Sequence, residues 1–239
     1  MTASGSNGHR LVLFDIDGTL LSAGRAARES VLAALEAVYG WKSDPDAPRE
    51  GKYDFSGKTD PQIVRELVGD RVGIERREAE LPRALARYLE ELRRRLSPEA
   101  VVPKPGIAEL LRRLAAWPGV TLALLTGNLE AGARLKLEPP GFNAYFPFGA
   151  FGSDSADRYE LPPVAVARAR EHSGREFSGK AVVIVGDSVH DVACGRSLGV
   201  RSVAVATGPT PAERLASERP DALLSDFSDV DAGMAAILG

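Results

Sequence analysis

The stretch LVLFDIDGTL, residues 11–20, sets four apolar residues in front of two carboxylates, Asp15 and Asp17, one residue apart. A run that is apolar at every position, rather than at every second one, suits a strand covered on both faces. Three further runs are apolar on both alternating faces apart from Thr121 and Ser202: VTLALL (120–125), AVVIV (181–185) and SVAVA (202–206). Among the last three, residues 129–138, 160–172 and 188–199 carry helical spacing behind polar start signals. The alternation predicts an α/β fold, a doubly wound Rossmann-like parallel sheet with helices on both sides. A helix over 211–218, opened by Pro209 and Pro211 and followed by DALLSDFSDV, adds a further turn of the pattern.

Residues 22–98 break the alternation. Val31, Leu32, Leu35 and Val38 recur at helical spacing between Ser22 and Gly40, a second short helix is expected from Pro61 to Val68, and a third, rich in Arg and Glu, from Glu75 to Leu96. SDPDAPREGKYDFSGK (43–58) reads as an internal loop and SPEAVVPKPG (97–106) as a return linker. The expected organisation is therefore an α/β core, residues 1–21 and 99–239, interrupted by an all-helical cap, residues 22–98.

Composition narrows the function. A chain of 239 residues with 44% hydrophobic content can bury a large interior. Its formal charge of −3 argues against a surface built for nucleic acid, which needs a cationic excess. No apolar run approaches the length of a membrane span. Cys194 stands alone, so no internal disulfide is expected, and the polar start MTASGSNGHR shows no secretory pattern. These features point to a cytoplasmic protein, a monomer or homodimer, with a small-molecule partner.

Each apolar run stops at a polar residue: Asp15, Thr126, Asp187 and Thr207. In a parallel sheet the carboxyl ends of all strands lie along one edge, where open α/β sheets bind ligands. Asp15, Asp17 and Asp187, with Asp191 four residues on, would then crowd into one crevice, and their mutual repulsion would raise their pKa values unless a cation sat among them. Hard oxygen ligands open to water suit Mg²⁺ together with a phosphate group. Thr126, Gly127 and Asn128 offer a hydroxyl, a flexible turn and exposed amides at a helix start, either as a phosphate cradle or as an ordinary capped turn. Arg158 is either a fixed positive charge between carboxylates and phosphate or a solvated surface residue.

Asp15-Ile16-Asp17-Gly18-Thr19-Leu20 resembles the DxDGT signature of the haloacid dehalogenase superfamily. Thr126 is similar to its isolated Thr/Ser motif, and Gly186-Asp187-Ser188-Val189-His190-Asp191 to its acidic GDxxxD motif. Order and spacing match over residues 10–235, and the helical insertion after the first motif resembles the cap of the phosphoglycolate phosphatase-like and β-phosphoglucomutase-like branch. The resemblance implies that Asp15 is a nucleophile forming an aspartyl-phosphate and that Asp17 is the general acid and base. It implies Mg²⁺ held by the side chains of Asp15 and Asp187 and the main-chain carbonyl of Asp17, with Asp191 supporting them. Thr126 and its neighbouring amides would hold the phosphoryl oxygens. The family's true dehalogenases lack the second Asp of the first motif, so Asp17 favours phosphoryl transfer.

The family usually places a Lys before the helix that precedes the acidic motif. Here Arg158 matches that place and keeps the charge, while Lys136 and Lys180 are alternatives in less suitable positions by sequence. In GKTDP (57–61), Lys58 would contact the leaving group from the cap, or be a solvated residue beside a capped helix. Family members with similar caps hydrolyse small phosphate esters, move phosphate between sugar positions, or cleave phosphonates through a Lys. The expected activity is Mg²⁺-dependent hydrolysis of a small phosphate ester, with a sugar phosphomutase as the alternative and phosphonate cleavage third. His190 is expected near the surface or behind the site, Trp41 and Trp117 as apolar anchors, Cys194 buried, and LARYLEELRRRL (85–96) as a helix laced with ion pairs.

Overall fold

Period two along the strands decides the layers. In the structure, a computed structural model that describes residues 8–42 and 54–239, Val12 and Phe14 of β1 (Arg10–Phe14) enter one apolar cluster, while Leu11 and Leu13 enter another on the opposite face. Both faces are dry, which is why the run carries no polar residue until Asp15. Each fully buried Leu, Val or Phe of this kind contributes roughly 1.5–3 kcal/mol.

After β1 come β2 (Leu21–Ser22), α1 (Ala26–Tyr39), α2 (Asp60–Val68), α3 (Ile74–Arg95) and β3 (Val102–Pro103). They are followed by α4 (Ile107–Ala116), β4 (Val120–Leu125), α5 (Glu130–Leu137), β5 (Gly149–Ala150) and α6 (Leu161–Ser173). The chain ends with β6 (Val182–Gly186), α7 (Val189–Leu198), β7 (Arg201–Val205), α8 (Ala212–Ser217), β8 (Ala222–Leu224) and α9 (Val230–Leu238). Six strands form one parallel sheet in the order β5-β4-β1-β6-β7-β8. Helices cover both faces, giving the doubly wound α/β architecture with a helical cap.

The helices α1, α2 and α3 pack on one another through Val31, Leu35, Ile63, Leu67, Tyr88 and Leu92, an apolar cluster separate from those of the sheet. Leu21 pairs with Pro103 and Ser22 with Val102, antiparallel, so the two ends of the helical segment meet. Ser22 thus lies in a strand, and the helix expected from Ser22 begins instead at Ala26, after a bend at Gly24. Of the loop expected over 43–58, residues 43–53 lie outside the described residues.

Trp117 is a second correction. It is 49% exposed rather than an anchor, because Pro118 forces the residue before it out of helical geometry and swings the ring off the apolar stripe of α4. Trp41 and Cys194 are buried as expected. Glu91 of α3 gathers Arg87, Arg94 and Arg95 into an ion-pair network. Among the described residues no helix is long and apolar enough to cross a membrane.

Candidate active site

Because β4, β1 and β6 are neighbours, Thr126, Asp15 and Asp187 emerge side by side at their carboxyl ends. The Asp15 amide donates to the Val185 carbonyl and the Thr126 amide to the Ala150 carbonyl, each at 3.0 Å, so the sheet's hydrogen bonding holds both residues. Beyond Asp15 the chain turns back at once, with the amides of Leu20 and Leu21 donating to the Ile16 carbonyl at 2.9 and 3.1 Å. Gly18 has φ of +91°, and a Cβ there would strike the Asp187 carboxylate, so only glycine lets this turn close on the acidic cluster.

Asp15, Asp187 and Asp191 are all buried, and one carboxylate oxygen from each lies within 4.8 Å of the others. Arg158 is buried with them, pairing with Asp15 at 3.3 Å and, more closely, with Asp191. Asp191 also accepts the amide and hydroxyl of Ser188, at 3.0 and 2.6 Å, closing a capping box at the start of α7. Burial raises the Asp15 carboxyl to about 6; Arg158 opposes the rise while Asp191 and Asp17 add to it. Asp187 is pushed well above the usual carboxylate range, by burial first and then by Asp15 and Asp191, although the Thr19 hydroxyl donates to it at 2.9 Å. The sequence points to repulsion as the cause of such shifts, but burial is the larger one. Three buried carboxylates against one guanidinium leave an excess of hard oxygen donors, and such a set fits Mg²⁺.

Asp17 stands apart from this group. Its side chain is 41% exposed, and Oδ2 accepts hydrogen bonds from Lys136 Nζ at 2.6 Å and Asn128 Nδ2 at 2.8 Å. Lys136 is almost wholly buried and also donates to Asn128 Oδ1 at 2.6 Å. The sequence places it among the less suitable positions, yet the structure brings it to the site; Lys180 sits elsewhere, on Asp221 at 2.6 Å. The signal was Lys136's place on the buried stripe of α5, with Gly132, Ala133 and Leu137.

Thr126 is fully buried, and its Oγ1 accepts from Asn128 Nδ2 at 2.9 Å, which leaves the hydroxyl proton to give. The Asn128 side chain is committed to Thr126, Asp17 and Lys136. Gly127 permits close approach: a Cβ there would strike the Lys58 carbonyl. Lys58 borders the cleft, but its ammonium pairs with Glu66 at 2.5 Å. Thr207 lies past β7 and donates to the Gly18 carbonyl at 2.5 Å.

The start of α2 is fastened to the sheet side of the cleft. Thr59 Oγ1 donates to the Ala156 carbonyl at 2.6 Å, the Asp60 amide to the Gly127 carbonyl at 2.8 Å, and the Leu129 amide to Asp60 Oδ2 at 2.8 Å. Burial lifts the Asp60 carboxyl to about 6, with Lys136 and the Leu129 amide opposing. Asp60 reads in sequence only as a helix start. His190 is outside the acidic group and meets Tyr159 Oη through Nδ1 at 3.0 Å; burial, then Arg158, lowers its pKa. A cavity of about 340 Å³ joins these parts, acidic at the sheet edge and walled by Val31, Phe55, Ile63 and Tyr88 beneath the cap, with Arg28 at its rim.

A family model described as haloacid dehalogenase-like hydrolase matches residues 9–199. The "Probable phosphatase IndB" of Dickeya dadantii (strain 3937) is 25% identical over 229 residues, 95% of this chain and 94% of that protein. A "Phosphoglycolate phosphatase" of Pseudomonas fluorescens (strain Pf0-1) is 29% identical over 221 residues, 91% of this chain and 77% of its own. Among solved structures, the "predicted phosphatase from Clostridium acetobutylicum" shares the fold with a TM-score of 0.72 at 18% identity, covering 95% of this chain and 98% of that one.

Proposed function

The chain belongs to the haloacid dehalogenase-like hydrolases, in their phosphoglycolate phosphatase-like and β-phosphoglucomutase-like branch, and from that membership we propose that it is a phosphatase that hydrolyses a small phosphorylated metabolite in the cytoplasm through an aspartyl-phosphate. The observation that carries this reading is the convergence of Asp15, Asp187 and Thr126 from three adjacent strands on one cleft, which Asp17 also lines. The segment 22–98 acts as the cap that closes that cleft and excludes bulk water.

In the first step an Asp15 carboxylate oxygen bonds to phosphorus as the ester P–O bond breaks, and Asp17 gives a proton to the departing oxygen. In the second, Asp17 takes a proton from water as its oxygen bonds to phosphorus and the Asp15–phosphorus bond breaks, restoring the carboxylate and releasing phosphate. Thr126 donates its hydroxyl to a phosphoryl oxygen, and Arg158 holds Asp15 in line. Asp15, Asp187 and the Asp17 carbonyl would hold Mg²⁺, with Asp191 and Arg158 behind them; the bound ion offsets the charge of the phosphoryl oxygens.

The test is phosphate release from a panel of phosphomonoesters with Mg²⁺ and with EDTA. Wild-type activity should depend on the metal, and Asp15→Asn should lower kcat on the order of 10⁴-fold. Equal rates for the two proteins would remove Asp15 from its role. Conversion of a hexose 1-phosphate to its 6-phosphate without phosphate release would replace hydrolysis with the mutase reaction.

A further inference from the structure

Arg158 is the cation expected from the motif order, and it is spent on Asp15 and Asp191. Lys136 is a second cation, almost wholly buried, on α5, and its hydrogen bonds and ion pair go to neither of those residues. An ammonium is costly to bury unless its partners repay the lost hydration. Here the partners are one oxygen of Asp17 and the amide oxygen of Asn128, each at 2.6 Å. The Asn128 amide nitrogen closes the triangle by donating to that same Asp17 oxygen at 2.8 Å, while its contact with Thr126 at 2.9 Å ties the triangle to the end of β4.

Both donors therefore grip Asp17 Oδ2. The other oxygen, Oδ1, has no hydrogen bond from the protein among the described residues, and the side chain borders the cleft. A general acid and base must present one defined oxygen to the leaving group within hydrogen-bond reach, and a carboxylate free to rotate about its last bond does so only part of the time. We infer that Lys136 is a positioning residue that, locked by Asn128, anchors Asp17 through Oδ2 so that Oδ1 carries the proton to the leaving oxygen and later takes one from water. The inference rests on the phosphatase reading above. It divides the labour of the two buried cations: Arg158 serves bond formation at Asp15, and Lys136 serves proton transfer at Asp17.

This assignment has a signature that a merely structural lysine lacks. The oxygen of p-nitrophenyl phosphate departs without a proton, whereas an alkyl oxygen needs one, so damage to Asp17's geometry falls selectively on alkyl esters. For Lys136→Met, kcat/KM should fall about 10²-fold or more with the alkyl phosphate that the wild-type enzyme cleaves fastest, and less than about tenfold with p-nitrophenyl phosphate. The ratio of the two values, measured on one preparation, is independent of how much of the sample is folded. Lys136→Arg should recover part of the alkyl activity, and combining Lys136→Met with Asp17→Asn should cost little beyond Asp17→Asn alone. A Lys136→Met protein that loses both activities equally, or neither, overturns the role of Lys136 while leaving the phosphatase reading intact. A wild-type protein inactive on every ester overturns the phosphatase reading and, with it, this inference.

Discussion

Arg158 shows at the scale of one residue how the site holds together. Its guanidinium lies between two buried carboxylates, and removing one partner of a buried ion pair costs about 3–5 kcal/mol because the remaining charge is stranded. Arg158→Met should lose about that much unfolding free energy in urea at pH 7 with EDTA present. Adding Asp191→Asn should return part of the loss, because one stranded charge is then gone. Equal stability of the single and double variants would show that Arg158 acts by packing alone. Asp15, Thr126 and Asp187 are legible because each closes an apolar run, Asp191 because it lies in the turn that opens the next helix, and Arg158 through the order of the motifs. Lys136 and Asp60 are less legible, because their roles depend on which face of a helix meets a partner distant in sequence. Asn128 was legible as a site residue but not in its task, which is set by Asp17 and Lys136.

At the scale of elements, the joint between α2 and α5 is governed by one carboxylate. Asp60 begins α2 and accepts the Leu129 amide just ahead of α5, and burial lifts its pKa from 3.8 to about 6. The folded state therefore holds the Asp60 proton more tightly than the unfolded chain does. This contributes stability that is complete below pH 4 and is lost as pH rises through 6. Relative to Asp60→Asn, which cannot titrate, the wild-type protein should lose up to about 3 kcal/mol between pH 4 and pH 7. Urea unfolding of both proteins across that range measures it, and a constant difference would mean that Asp60 is not the group responsible. Elements are legible in proportion to their length. The central strands, with five or six residues, announce themselves, and β8 falls in the DALLSDFSDV segment that continues the pattern, whereas β5, with two residues at the other edge, is too short for a period to register. The stripe Ile107, Leu110, Leu111 and Leu114 of α4 is plain in sequence but falls between a linker and a strand, where the alternation of β and α directs no attention to it.

For the whole molecule, the acidic cluster sets a conflict between stability and function that a divalent ion, if bound there, would resolve. Asp187 sits among Asp15 and Asp191 with its pKa well above the usual range, so keeping it ionised at neutral pH works against the fold. Without a divalent ion, Asp187→Asn removes that burden and should unfold at a temperature no lower than that of the wild-type protein. With Mg²⁺ the order should reverse, because a ligand that binds only the folded state adds RT ln(1 + [L]/Kd), about 2.7 kcal/mol at a hundredfold excess over Kd. For a chain of this size that amounts to roughly 5–10 °C in the wild-type melting temperature, with little change in the variant. Calorimetric melts in EDTA and over a Mg²⁺ titration, with Ca²⁺ as a comparison, read both halves of the crossover. A Mg²⁺ shift of equal size in Asp187→Asn would place the ion elsewhere. A wild-type protein indifferent to Mg²⁺ would mean that Arg158 alone balances the cluster, and that these carboxylates are not gathered for a metal.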